Sequence, residues 1–170
     1  MVSESARMTT AEEARYRIDY PNSKPRAVKV IALDPPSEAV VKRLSEGSWQ
    51  RASFFASVKF DGAPRGGDGW TMKAWLSDLA GRTNDLIDEV ASADLVVMVA
   101  SAGTKPGAAA VIGEACAVRK VMTTALIIGT DDRTDEEISR TLAALRPHAS
   151  MLVIASSEDY IEAMLTALRA

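Results

Sequence analysis

The sequence predicts an α/β fold: a three-layer α/β/α sandwich around a doubly wound, mainly parallel sheet of about five strands. Two observations support this prediction. From Arg26 onward, short aliphatic runs alternate with amphipathic helical stretches, as in a parallel sheet covered by helices. The run 95–100 is so uniformly apolar that neither of its faces can lie in water, which is typical of a central parallel strand.

The five strands are predicted from runs of aliphatic and β-branched residues, and their ranges are 27–33, 53–60, 94–100, 121–128 and 151–155. Right-handed crossovers join such strands most simply in the spatial order 2-1-3-4-5. The direction in which successive strands are added to the sheet reverses between the first and third strands, which makes this the topological switch point. Ligands of open α/β sheets bind at that point, beside the carboxyl ends of the strands.

The helices are predicted from apolar residues at helical spacing, over the ranges 35–46, 70–90, 107–118, 135–145 and 157–168. Pro35 and Pro36 open the first helix, because proline suits a first helical turn. The second, 70–90, has a possible break at Gly81. Thr134 or Asp135 is expected to cap the fourth helix.

Length and charge limit the function classes. At 170 residues the chain suits one domain, predicted over 27–170 after an N-terminal extension over 1–26. A net charge of −3 without a basic stripe argues against nucleic acid and a membrane surface as partners, and we expect a cytoplasmic protein. One cysteine and one histidine cannot build a Cys/His zinc site.

The turn after the third strand is the main candidate ligand site. A helix start offers unpaired N–H groups and the positive end of the helix dipole, and glycine lets a phosphate approach the backbone. The turn would also supply a hydroxyl and a cation. Its candidate residues are Ser101, Ala102, Gly103, Thr104, Lys105 and Gly107. The alternative is a tight turn whose small residues only let the helix pack closely.

Other candidates lie at the same edge of the predicted sheet. Asp34 and Ser37 follow the first strand, where Asp34 could bind a ribose hydroxyl or a metal, although capping of the next helix is favoured. Asp131 could hold Mg²⁺ with a phosphate, but a solvated turn is the stronger interpretation. Arg65, Gly66 and Gly67 form a loop that could fold over an anion or simply connect two elements, and Ser156 follows the last strand.

The residues 103–114, GTKPGAAAVIGE, follow a strand that reads DLVV, and this combination resembles the nucleotide-binding half of the FtsZ/tubulin family. Leu145-Arg146 before the apolar run 152–154 and the first strand over 29–31 fit the same order of elements. The resemblance covers about 28–161. It implies a Rossmann-like nucleotide-binding domain, with Ser156 near the family's guanine-reading position.

The departures from the family pattern bear on activity. The first strand ends in Asp34-Pro35-Pro36 where the family has a glycine-rich loop, and proline lacks the N–H that a phosphate requires. Ala100-Ser101-Ala102 replaces the leading glycines of the signature loop. The family's central helix and second domain have no counterpart in these 170 residues. Filament-coupled GTP hydrolysis is therefore not expected.

Three functions remain open. The first is a non-catalytic FtsZ-like binding or assembly domain, with a homo-oligomer or another protein as its partner and a small anionic ligand at 103–107. The second is a small enzyme acting on a nucleotide or phosphorylated metabolite, with Asp34, Lys105 and Asp131 converging on one ligand. The third is a purely structural homo-oligomer. The cofactor is unknown: a nucleotide or phosphate would fit, and Mg²⁺ only with a nucleotide.

Overall fold

Five parallel strands form the centre of the sheet in the computed structural model, which describes residues 24–57, 75–78, 83–155 and 157–170. The strands are β1 (Val28–Ala32), β2 (Ala52–Ser57), β3 (Trp75–Asp78), β4 (Thr83–Asp85), β5 (Leu95–Ser101), β6 (Met122–Ile128) and β7 (Met151–Ile154). The parallel ones lie in the order β2-β1-β5-β6-β7. The predicted fold class and strand order are therefore confirmed.

The helices that connect the strands are α1 (Pro35–Ser45), α2 (Leu86–Ala91), α3 (Ala108–Arg119), α4 (Asp135–Leu145) and α5 (Glu158–Ala167), with a 3₁₀ turn over Arg146–His148. Residues of α1 and α5 share one apolar core with the sheet. Residues of α2, α3 and α4 share the core on the opposite face. Two helical layers thus enclose the sheet, as the three-layer prediction requires.

The predicted helix over 70–90 is wrong over 75–78 and 83–85, which are strands, and correct over 86–90; its other residues lie outside the described part of the chain. β3 pairs antiparallel with β2, and β4 pairs antiparallel with β3, so two added strands extend the sheet beyond β2. The helix begins only at Leu86, where the side chain of Asp85 accepts a hydrogen bond from the Ile87 N–H at 2.7 Å. Pairing with β2 is a non-local contact that overrides a local helical spacing of apolar residues.

The core is centred on β5, whose seven residues are all buried. Their register sets Val28 of β1 beside Leu95 and Ser101 beside Ile128 of β6. Burial on both faces explains the uninterrupted apolar run that predicted this strand. No helix in the described ranges has both the length and the apolar character needed to cross a bilayer.

A partly buried ion pair joins the sheet to α2. The Lys29 Nζ of β1 lies 2.8 Å from Glu89 Oε2, and the two side chains are 12% and 22% exposed. The same ammonium lies 5.7 Å from the centre of the Phe55 ring on β2. One side chain therefore links β1, β2 and α2.

Candidate functional site

The carboxyl ends of β1, β5, β6 and β7 lie along one edge of the sheet, which we call the rim. β1 pairs with β2 on one side and β5 on the other, so the topological switch point of the sheet lies between β1 and β5. Asp34 follows β1 at this point, and Ser101 ends β5. The sequence predicted this neighbourhood from the strand order.

Asp34 caps α1, the role that the sequence analysis favoured. Its Oδ1 accepts a hydrogen bond from the Ser37 N–H at 2.9 Å, and the Asp34 N–H donates to Ser37 Oγ at 3.2 Å. This reciprocal capping box satisfies the orphan donors of the first turn. The predicted cap is confirmed, and Ser37 is its buried second member.

The same carboxylate also receives donors from the end of β5. Ser101 donates its N–H to Asp34 Oδ2 at 2.8 Å and its hydroxyl to Oδ1 at 2.7 Å. The Thr104 hydroxyl lies 3.2 Å from Oδ2 and 2.7 Å from the Ser101 carbonyl oxygen. Hydrogen bonds to an ionised acceptor are the stronger kind. Asp34 therefore accepts the hydrogen bonds that an anion bound at the switch point between β1 and β5 would need.

The turn between β5 and α3 holds most of its own N–H groups in internal hydrogen bonds. Ala102 donates to the Ile128 carbonyl at 2.8 Å, Gly103 to Thr141 Oγ1 at 3.0 Å, and Thr104 to the Ser101 carbonyl at 3.2 Å. Gly103 has a φ of 85°, which requires glycine's freedom. An anion at this turn would have to compete with protein acceptors for those donors.

Of the remaining candidate residues, Lys105, Gly107 and Asp131 are exposed. Gly107 precedes α3, and its N–H donates to the Lys105 carbonyl at 2.9 Å. The Lys105 and Asp131 side chains face solvent on separate turns. Among the described residues, neither forms a hydrogen bond or ion pair with Asp34. The convergence of these three side chains that the enzyme hypothesis requires is thus not seen in their contacts.

A groove opens along the rim between α1 and α5, with a volume of about 350 Å³. We call it the rim groove. Its lining combines apolar residues with a few polar ones: Pro36, Val40, Ser101, Ala102, Thr104, Ile128, Gly129, Arg133, Ala155, Ser157, Glu158 and Ile161. The sequence analysis missed Arg133 and Glu158. Arg133 could have been predicted as a site residue, because it lies in the loop that follows β6 at the carboxyl edge of the sheet.

Two ion pairs flank the rim groove. Arg133 Nη1 lies 3.3 Å from Glu137 Oε1 on α4, and the pKa of Glu137 is lowered mainly by a hydrogen bond from the Thr134 N–H. Arg43 of α1 forms an ion pair with Glu158 of α5. The hydrogen bond from Arg43 lowers the pKa of Glu158, which keeps that carboxylate ionised. The second pair ties the two helices that form the walls.

Two reactive residue types lie away from the rim. Cys116 is buried in α3, and burial raises the pKa of its thiol to about 11, so it is not a nucleophile at neutral pH. His148 lies in the turn before β7, at the opposite end of the sheet. Within the described ranges, no group of His, Cys, Asp and Glu side chains could hold a metal ion.

Four predicted site residues, Arg65, Gly66, Gly67 and Ser156, lie outside the described residues. Among the other candidates, Ala102, Gly103, Lys105, Gly107 and Asp131 form no hydrogen bond with Asp34 within the described ranges. Asp34, Ser37, Ser101 and Thr104 form one hydrogen-bonded cluster. No protein-family model matches this sequence, and no curated protein is significantly similar to it.

Proposed function

We propose that the chain is a non-catalytic binding domain of FtsZ-like architecture that takes a small anionic ligand in the rim groove. The observation that carries this proposal is the groove itself, an opening of about 350 Å³ at the carboxyl ends of β5 and β6. Doubly wound proteins bind ligands at this edge of the sheet, and pockets with an apolar lining and few polar groups are typical ligand sites.

The charge of the ligand follows from Arg133. Its guanidinium has five N–H donors, of which Glu137 engages Nη1 at 3.3 Å within the described part of the chain. The pair is partly exposed, so water screens it and a competing anion loses little by separating it. A phosphate or carboxylate could then receive two parallel hydrogen bonds from the remaining donors.

The size and the apolar character of the ligand follow from the rest of the lining. Val40, Ile128 and Ile161 offer aliphatic surface to a ring or short chain. A volume of about 350 Å³ lies at the small end of the range for ligand pockets. We therefore expect a ligand no larger than a mononucleotide, and a dinucleotide such as NAD should not fit.

The non-catalytic part of the proposal rests on how the polar groups at the groove are engaged. The Ser101 hydroxyl donates to Asp34, and the Glu158 carboxylate is paired with Arg43. A serine hydroxyl is not a base at neutral pH, and the hydrogen bond from Arg43 lowers the pKa of Glu158, whereas a general base works best with a pKa near the operating pH. This arrangement supports binding without turnover.

The FtsZ/tubulin resemblance remains part of the proposal and rests on the order of β5, the glycine-containing turn and α3. The family binds phosphate at such a turn. Here the Asp34 carboxylate lies at the switch point next to that turn and accepts a hydrogen bond from the Ser101 N–H. We infer that any retained anion lies on the side of Arg133, with Mg²⁺ required only if it is a nucleotide.

The test is a calorimetric titration of the purified chain with inorganic phosphate, GDP, GTP, ATP and NAD, with and without Mg²⁺. Arg133→Gln should weaken binding at least tenfold, because losing one charge-assisted hydrogen-bonding partner costs roughly 1.5–3 kcal/mol. Lys105→Ala and Arg140→Gln, which alter exposed cations outside the groove lining, should leave the affinity unchanged.

Three outcomes would count against the proposal. Absence of binding by every compound would overturn the ligand site. Loss of binding in Lys105→Ala with normal binding in Arg133→Gln would move the ligand to the turn after β5. Turnover of a bound nucleotide, measured as release of inorganic phosphate, would overturn the non-catalytic assignment.

A further inference from the structure

The charges of the rim groove balance one another. Arg133 and Glu158 are the two charged residues of its lining. Each is paired with an opposite charge from outside the lining, Arg133 with Glu137 and Glu158 with Arg43. The groove therefore offers an anion one guanidinium but no net positive charge. The number of negative charges that a ligand can bring depends on the pair of Arg133 and Glu137.

Hydrogen bonds at the start of α4 hold the Glu137 carboxylate in place. Its Oε2 accepts a hydrogen bond from the Thr134 N–H at 3.0 Å and lies 3.3 Å from the Thr134 hydroxyl. The Glu137 N–H donates in turn to Thr134 Oγ1, which completes a capping box. The hydrogen bond from the Thr134 N–H is also the main reason why the pKa of Glu137 is lowered, so this carboxylate is ionised at neutral pH. Glu137 cannot leave Arg133 without removing part of the cap of α4.

The pair lies against the turn between β5 and α3. A Cβ at Gly103 would be 3.4 Å from both Arg133 Nη1 and Glu137 Oε1. The residues on either side of Gly103, Ala102 and Thr104, line the rim groove. An anion that binds Arg133 from the groove must therefore share the guanidinium with Glu137.

A second carboxylate lies behind the same wall. Ser101 and Thr104 line the groove, and their hydroxyls lie 2.7 and 3.2 Å from the oxygens of Asp34. Lys105 is exposed and does not belong to the lining. Like charges a short distance apart repel, and more strongly where protein replaces water. A second charge on the ligand would thus be repelled by Glu137 and Asp34, without a second cation in the lining to offset it.

We propose that the rim groove selects a singly charged anion, a carboxylate or a phosphodiester, over a doubly charged phosphate monoester, and that Glu137 sets this preference. Because this selectivity belongs to the ligand site proposed above, it rests on the proposed function. Arg133 offsets the first charge of the ligand and can form two parallel hydrogen bonds with either group. A phosphate monoester carries close to two charges above pH 7, since its second pKa is about 6. Its second charge remains without a partner beside Glu137.

The test is a calorimetric titration at pH 7.5 without Mg²⁺, with three compounds that share one nucleoside. AMP carries close to two negative charges. The methyl ester of AMP, and the adenosine analogue with a carboxylate in place of the phosphate, each carry one. Wild type should bind the singly charged compounds at least threefold more tightly than AMP, and the difference between those two identifies the group that the groove takes. The matching guanosine compounds are measured in the same way.

Glu137→Gln tests the residue itself, because glutamine can keep the capping box while removing the charge. It should tighten the binding of AMP more than that of the methyl ester, so the preference should fall below twofold. Glu136→Gln is the matched control. Glu136 is exposed in the same turn of α4 and forms no ion pair with Arg133 within the described part of the chain, so its variant should keep the wild-type preference.

The outcomes separate this selectivity from the ligand site. Equal or tighter binding of AMP than of both singly charged compounds by wild type would overturn the selectivity and leave the ligand site standing. An unchanged preference in Glu137→Gln, or the same loss of preference in Glu136→Gln, would overturn the role of Glu137, with circular dichroism to verify that both variants fold. Absence of binding by all of these compounds would overturn the proposed function and the selectivity together.

Discussion

At the scale of single residues, the Asp34 carboxylate joins the start of α1 to the end of β5. Each of its oxygens accepts from one backbone N–H and lies within hydrogen-bonding distance of a hydroxyl. Asp34→Ala removes a helix cap and leaves the N–H and hydroxyl of the buried Ser101 without their acceptor. We expect a loss of unfolding free energy of about 2–4 kcal/mol.

Urea unfolding of Asp34→Ala and Asp34→Asn measures this effect. The asparagine keeps the size, but its NH₂ group must face the N–H of either Ser37 or Ser101, so an intermediate loss is expected. Asp132→Asn, at an exposed position, is the control and should unfold like wild type. Equal stability of Asp34→Ala and wild type would contradict the role of Asp34.

Gly113 supports a different close contact. A Cβ at this position of α3 would lie 2.7 Å from the His148 Cβ and 3.1 Å from its Cα. Gly113→Ala should therefore lose about 1–3 kcal/mol from overpacking, although alanine favours helix. At Gly107 a Cβ would meet nothing within 4 Å, and the φ of −60° suits any residue. Gly107→Ala should change stability by less than about 1 kcal/mol.

Thermal or urea unfolding of both glycine variants tests this contrast. Equal losses in the two would contradict the proposed contact with His148. The sequence analysis interpreted small residues near the start of α3 only as allowing the helix to pack closely, and Gly113 packs against the turn before β7. Local sequence identified a need for a small residue but not its partner, because Gly113 and His148 meet only through the packing of α3.

At the scale of elements, the ion pair between Lys29 on β1 and Glu89 on α2 holds the helix to the sheet. Glu89→Gln leaves a poorly hydrated ammonium without its counter-charge, so we expect a loss of about 1–3 kcal/mol. The double variant Lys29→Met with Glu89→Leu removes both charges and should recover most of that loss. Urea unfolding of the singles and the double completes a mutant cycle, and additive losses would contradict the coupling.

The elements differ in how far the sequence predicts them. β5 and β6 were predictable, because burial on both faces leaves an apolar run that no other element shares. β3 was not, since its residues pair with β2 across a long separation and carry an apolar spacing that also suits a helix. The candidate site shows the same difference. The Asp34 cap is a local contact and was predicted, whereas the hydrogen bonds from Ser101 to Asp34 were not, because they depend on the pairing of β1 with β5.

At the scale of the whole molecule, the sheet should open from its edges. β5 is buried along its whole length, whereas β7 has exposed residues at both ends. Amide hydrogen exchange of buried central elements approaches the free energy of global unfolding, and edges exchange through smaller openings. We therefore expect the slowest exchange in β1 and β5 and faster exchange in β7 in dilute solution.

A comparison of β7 with β2 gives the sharpest form of this prediction. Both strands lie away from the centre of the sheet, but β2 has strands of the same chain on both sides, whereas β7 pairs with β6 alone among the described strands. Protection measured by hydrogen exchange with mass spectrometry should therefore be higher in β2 than in β7. Exchange of β7 as slow as that of β5 would contradict opening from this edge and would indicate that β7 is covered within one molecule.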